Sequence, residues 1–210
     1  MCSPKHLSFV ALMTAAAFIT GPAIAQQNDL FEEEAELLET LDDEKKNELV
    51  VAPIPIVNPT IGAGLDLAMS CDIRIASEDA KLGQFFVRMG LVPEAGAYMM
   101  PRLIGLGRAK LLSFTGDLID GKEAERIGLV EKAVPADQLM PAALEMAGKF
   151  ANGPKCIGIM KKQLNEAMGM TFKTALDYAI RLQYQCVHTE DHKEAVNAFL
   201  EKRKPTFKGE

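Results

Sequence analysis

The chain has 210 residues, 48% of them hydrophobic, which suits one globular domain with a sizeable core, with or without an appendage. A net charge of −6 argues against a nucleic-acid partner, since binding phosphates requires an excess of Lys and Arg. The four cysteines, Cys2, Cys71, Cys156 and Cys186, lie far apart without a CxxC pair, which excludes a disulfide framework and leaves the body reading as a reduced, cytosol-type protein.

The first residues read differently. Lys5 and His6 precede an apolar run at 7–20, and Gly21-Pro22-Ala23-Ile24-Ala25 follows. A basic start, an apolar stretch and a small-residue end make residues 1–25 a secretory signal peptide and imply export to a periplasm. A signal anchor is the other reading, although the run is short for a span. Residues 26–59 are acidic, with Glu32-Glu33-Glu34 and Asp42-Asp43-Glu44, and read as a linker or a solvated helix. Residues 49–52 are strand-like, but Pro53, Pro55 and Pro59 break a ladder and point to extended or edge structure.

The character changes at Thr60. Residues 65–71 predict a compact apolar helix, and 72–76 alternate as a half-buried strand does. Residues 83–96 are loop-like, carrying Gly90, Pro93 and Gly96. Short helices follow over 97–103, 108–114 and 120–127, the last stopped by Gly128. A strand over 129–134 ends at Pro135. Beyond it the pattern is helical over 137–152, 155–168, 172–186 and 191–202. The domain reading is therefore a core over 60–135 and a helical region over 136–210.

Three features carry candidate chemistry. Ile61-Gly62-Ala63-Gly64-Leu65 is a glycine-rich turn running into a helix, where free N–H groups bind developing negative charge; a tight turn without a ligand has the same appearance. His188 and His192 are four apart, a spacing that puts two imidazoles on one helical face, but no third metal ligand is evident. Lys202, Arg203, Lys204 and Lys208 form a basic end, which a solvated helix terminus also explains.

Four stretches taken together resemble the crotonase (enoyl-CoA hydratase/isomerase) superfamily. They are the run from Ile61 to Ala76, Gly90-Leu91-Val92-Pro93-Glu94-Ala95-Gly96 with Pro101-Arg102-Leu103-Ile104-Gly105, Thr115-Gly116-Asp117 through Gly128-Leu129-Val130, and Phe199-Leu200-Glu201-Lys202-Arg203-Lys204-Pro205-Thr206-Phe207. The resemblance implies an α/β fold, a β-β-α superhelix core with a helical carboxy-terminal region that trimerises. It implies an acyl-CoA thioester as substrate, with no further cofactor and no metal. The amide of Ala63, flanked by Gly62 and Gly64, then matches one of the family's two enolate-stabilising N–H groups, and Lys202 lies near the CoA phosphates.

The family's two hydratase carboxylates fall at Asp66, one methylene short, and at Phe86, which cannot transfer a proton. Glu94 stands where the branch resembling Δ3,Δ2-enoyl-CoA isomerases carries a single catalytic acid, with Phe85, Phe86 and Met89 as apolar sequence neighbours. One carboxylate that takes a proton from C2 and returns it at C4 suffices for a double-bond shift. Capping of the following helix is the competing role for Glu94.

The amino-terminal half of the family pattern, which supplies the first oxyanion amide, is not seen. The leader and residues 50–59 instead resemble the start of an exported bacterial surface-antigen protein. A fusion, natural or artefactual, at Pro59-Thr60-Ile61-Gly62-Ala63-Gly64-Leu65 and loss of activity through truncation follow as one expectation. A non-catalytic exported binding or assembly protein on a crotonase-like scaffold is the alternative. Localisation divides the same way, cytoplasmic for the core and periplasmic for the leader.

Overall fold

The structure is a computed structural model that describes residues 53–57 and 59–210. The leader read at 1–25, the acidic segment up to residue 52 and the strand-like residues 49–52 lie outside the described residues. The described chain divides into two compact units, Pro53–Ala143 and Leu144–Glu210.

In the first unit, β1 (Pro53–Ile56), β3 (Ile73–Ser77) and β5 (Lys132–Val134) form a parallel sheet in the order β1-β3-β5. The prolines do not prevent β1 from pairing. Pro53 and Pro55 are two apart, so both nitrogens lie on one side of the strand, and Ile54 and Ile56 carry the amides of the other side. Among the described residues β1 is an edge, as the prolines predict.

β3 is not half-buried. Arg74, Ile75, Ala76 and Ser77 are all buried, because β3 is central and parallel strands are covered on both faces. Arg74 is tolerated there because its guanidinium donates to the carbonyls of Leu129 (2.9 Å) and Cys71 (2.8 Å) and pairs with Glu131.

Between the strands, β2 (Thr60–Ile61) pairs in parallel with β4 (Leu82–Gly83), and α1 (Ala63–Ser70) follows β2 directly. α1 has only eight residues, so packing rather than propensity holds it. Leu65, Ala68 and Met69, at i, i+3 and i+4, enter a core with Ile56, Leu82, Met100 and Leu129. Burying a side chain such as Leu65 or Met69 contributes about 1.5–3 kcal/mol.

The segment 83–96 is more ordered than a loop. It contains β4's Gly83 and a 3-10 helix over Phe85–Met89 before the turn into α2 (Gly96–Ile104). α3 (Leu106–Thr115) and α4 (Gly121–Ile127) follow. Asp120 caps α4 by accepting from the Glu123 amide at 2.8 Å, and Gly128 ends it. The strand expected from 129 starts only at Lys132, because the amides of Leu129 and Val130 turn back to the Ala124 carbonyl. The helix expected over 137–152 is a 3-10 turn at Ala136–Gln138 and then α5 (Leu139–Ala151).

The second unit contains the end of α5 with α6 (Cys156–Ala167), α7 (Phe172–Val187) and α8 (Glu190–Leu200). Thr171 and Thr189 cap α7 and α8 through their hydroxyls. The Thr189 cap separates the two histidines: His188 closes α7 and His192 lies in the first turn of α8, so they do not share a helical face. Among the described residues no group of three or more His, Cys, Asp or Glu is placed to hold a metal ion, and no helix is long and apolar enough to cross a membrane.

Candidate active site

The glycine-rich turn is a helix start, not part of a strand. Ile61 pairs with Gly83, and the Gly62 amide donates to the Gly83 carbonyl at 2.9 Å. Gly62 itself has φ 58° and ψ −121°, a conformation that side chains resist, and it reverses the chain into α1. The Gly62 carbonyl accepts from the Asp66 amide at 3.0 Å. The amides of Ala63, Gly64 and Leu65, in the first turn of α1, have no backbone partner among the described residues, and Ala63 is exposed. Such amides at the positive end of a helix can hold an oxyanion.

Three side chains are arranged around this turn. Phe86, in the 3-10 helix, lies over Gly62: a methyl group at Gly62 would sit 3.8 Å from its ring. Asp66 is 5% exposed, and its Oδ1 accepts from Gln84 Nε2 at 2.6 Å. Both side chains press against Gly96, the first residue of α2. Glu94, two residues earlier, is exposed and makes no side-chain hydrogen bond or ion pair among the described residues. The N-cap of α2 is Ala95 and no side chain caps it by a hydrogen bond, which leaves Glu94 the charge–dipole form of the capping role. Nor is Glu94 enclosed by the apolar neighbours that the sequence offered: Phe85 and Phe86 are half-buried, and Met89 is exposed.

A family model described as enoyl-CoA hydratase/isomerase matches residues 15–210. The chain belongs to the enoyl-CoA hydratase/isomerase family. The family match reaches into the segment that the sequence reads as leader and linker. The short-chain-enoyl-CoA hydratase of Clostridium acetobutylicum is 37% identical over 194 residues, which are 90% of this chain and 74% of that protein. The crotonyl-CoA hydratase of Syntrophomonas wolfei is 36% identical over 201 residues, with 91% and 76% covered. Among solved structures, an enoyl-CoA hydratase from Bacillus anthracis aligns with TM-score 0.69 and 40% identity, over 72% of this chain and 60% of that one. The chain thus spans about three quarters of these curated relatives and three fifths of that structure.

Within the family pattern, the structure brings Asp66, Phe86 and the Gly62–Gly64 turn together in the first unit, with Glu94 at the head of α2. Lys202 belongs to the second unit. It is exposed just beyond α8, with φ 54°. The tail after it is tied down by two carboxylates of α8. Asp191, 3% exposed, accepts from the amides of Lys155 (2.8 Å), Lys208 (2.8 Å) and Gly209 (3.1 Å). Glu194 accepts from Arg203 and from the Thr206 amide, and the Arg203 guanidinium first, then that amide, pull its carboxyl down to about 2.

The residues that sequence reasoning missed are Gln84 and the carboxylates Asp191 and Glu194. Gln84 left a faint signal, a polar residue between Gly83 and two phenylalanines. The α8 carboxylates left none, since their partners Lys155, Arg203, Thr206, Lys208 and Gly209 lie 9–36 residues away.

Proposed function

We propose that the chain shifts a double bond in an enoyl-CoA thioester, with Glu94 as the single proton-transferring group and the Ala63 amide as oxyanion donor. In that reaction Glu94 takes a proton from C2, the thioester oxygen becomes enolate-like beside the Ala63 amide, the C3=C4 π bond moves to C2=C3, and Glu94 returns the proton at C4. Nothing is added or lost, so one acid-base group is enough. The observation that supports this reading best is the division among the three candidate positions. Asp66 is buried and bonded to Gln84, position 86 is a phenyl ring, and Glu94 is the one left with an open carboxylate.

The names of the relatives favour hydration as a second reading, and Asp66 stands at the first hydratase position. Addition of water through two carboxylates needs a proton-transferring group where Phe86 stands. The acyl-CoA is the proposed ligand in either reading, and Lys202 its proposed phosphate contact. We further propose that copies of the chain associate. α7 exposes Phe172, Leu176, Ile180 and Tyr184, each four residues on from the last, which is one stripe of a helix.

The test is conversion of a 3-enoyl-CoA to the 2-enoyl-CoA by the wild type and by Glu94→Gln. Loss of the acid should lower the rate on the order of 10²–10⁴-fold. Equal rates would remove Glu94 from the mechanism.

A further inference from the structure

Gln84 takes no part in the proton shuttle, yet it is 1% exposed and its amide is committed to Asp66 at 2.6 Å. The pair fills the space beside Gly96. A methyl group there would stand 2.3 Å from Asp66 Oδ1 and 2.4 Å from Gln84 Nε2, so any side chain at position 96 would displace the pair. Three segments converge on this one contact. Asp66 is in the first turn of α1, tied through its amide to Gly62. Gln84 directly follows β4, whose Gly83 carbonyl holds the Gly62 amide. Gly96 opens α2, two residues beyond Glu94.

We infer that Asp66 and Gln84 are positioning residues, a brace that sets where Glu94 stands relative to the Ala63 amide. This rests on the reading of Glu94 as the acid. The brace touches the start of both helices and transfers no proton. Its burial is costly: Asp66 Oδ2 and Gln84 Oε1 are enclosed without a hydrogen-bond partner among the described residues. A buried polar pair left half-satisfied contributes little to stability, which fits a role in geometry. Displacement of a reacting group by about 1 Å can cost on the order of 10²-fold in rate.

The experiment compares Asp66→Ala, Gln84→Ala, Gly96→Ala and Asp66→Asn with Glu94→Gln in the full chain, reading isomerase kinetics and amide hydrogen exchange of residues 93–99. Asp66→Ala, Gln84→Ala and Gly96→Ala should each lower kcat about 10²-fold with KM within about threefold, and speed exchange in that segment. Asp66→Asn keeps the oxygen that accepts from Gln84 and puts a donor in place of the unpartnered Oδ2. It should restore most of what Asp66→Ala loses and leave exchange slow.

An Asp66→Asn variant as impaired as Glu94→Gln would make Asp66 a proton-transfer group and overturn the brace. Unchanged exchange and kcat in Asp66→Ala and Gln84→Ala would overturn it as well. If Asp66→Ala fails to fold, Gln84→Ala and Gly96→Ala give the same readouts. Failure of the Glu94 reading shows separately, as wild-type activity in Glu94→Gln, and exchange alone then decides for or against the brace.

Discussion

Replacing Glu131 by Ala strips the buried Arg74 guanidinium of its counter-charge. In the wild type, Arg74 Nη2 pairs with Glu131 Oε1, and the Arg74 backbone amide donates to Glu131 Oε2 at 2.5 Å. The Arg74 side chain is 3% exposed and that of Glu131 37%. Breaking a fully buried pair costs about 3–5 kcal/mol; water can reach the Glu131 side, and Arg74 keeps its bonds to the Leu129 and Cys71 carbonyls, so about 2–3 kcal/mol is expected here. For a chain of this size that lowers Tm by about 4–12 °C. Urea unfolding followed by circular dichroism measures it, with an unchanged m-value showing that stability alone has moved. Adding Arg74→Met should cost less than the sum of the two single changes, by at least about 1.5 kcal/mol. A Glu131→Ala protein within about 0.5 kcal/mol of wild type would refute the claim that Arg74 depends on this partner.

Gly62→Ala should lose about 1–3 kcal/mol from backbone strain alone, since the Phe86 ring leaves room for the methyl group. Unaltered urea stability would show that the positive φ is not required. Asp191→Ala removes the acceptor of three amides, so trypsin should cut the basic tail faster than in wild type; equal cleavage would mean that the tail is held otherwise. Glu194 has a folded-state pKa depressed from 4.5 to about 2, so its hold on the tail is complete above pH 4.5 and lost as pH falls towards 2. Exchange of the Thr206 amide should accelerate, relative to its intrinsic rate, over that window; a flat ratio would contradict the linkage. Ile180→Glu places a charge in the exposed stripe of α7 and should reduce the mass seen by light scattering, whereas an identical mass would exclude that stripe from association.

The motifs from Ile61 to Phe207 made the family and the order of helices readable, because glycines, caps and apolar spacing act over a few residues. What escaped the sequence depends on contacts between distant positions. Asp66 and Gln84 are 18 residues apart, and Arg74 and Glu131 are 57 apart. Without those partners Arg74 reads as a solvent-facing residue and β3 as half-buried. The histidine spacing misled for a local reason: Thr189 starts a new helix between His188 and His192. Glu94 is a candidate from its motif alone, and its openness to solvent depends on how α2 packs, which neighbouring apolar residues do not specify.

In the proposed isomerisation one carboxylate moves a proton along an acyl chain. This is tested most directly by giving a single preparation of the wild type a 3-enoyl-CoA in one cuvette and a 2-enoyl-CoA in another, and comparing isomerisation with hydration. Isomerisation should be the faster, with 3-hydroxyacyl-CoA forming slowly or not at all. Hydration outpacing isomerisation would contradict it, because Phe86 would then stand where a working hydratase needs its second acid.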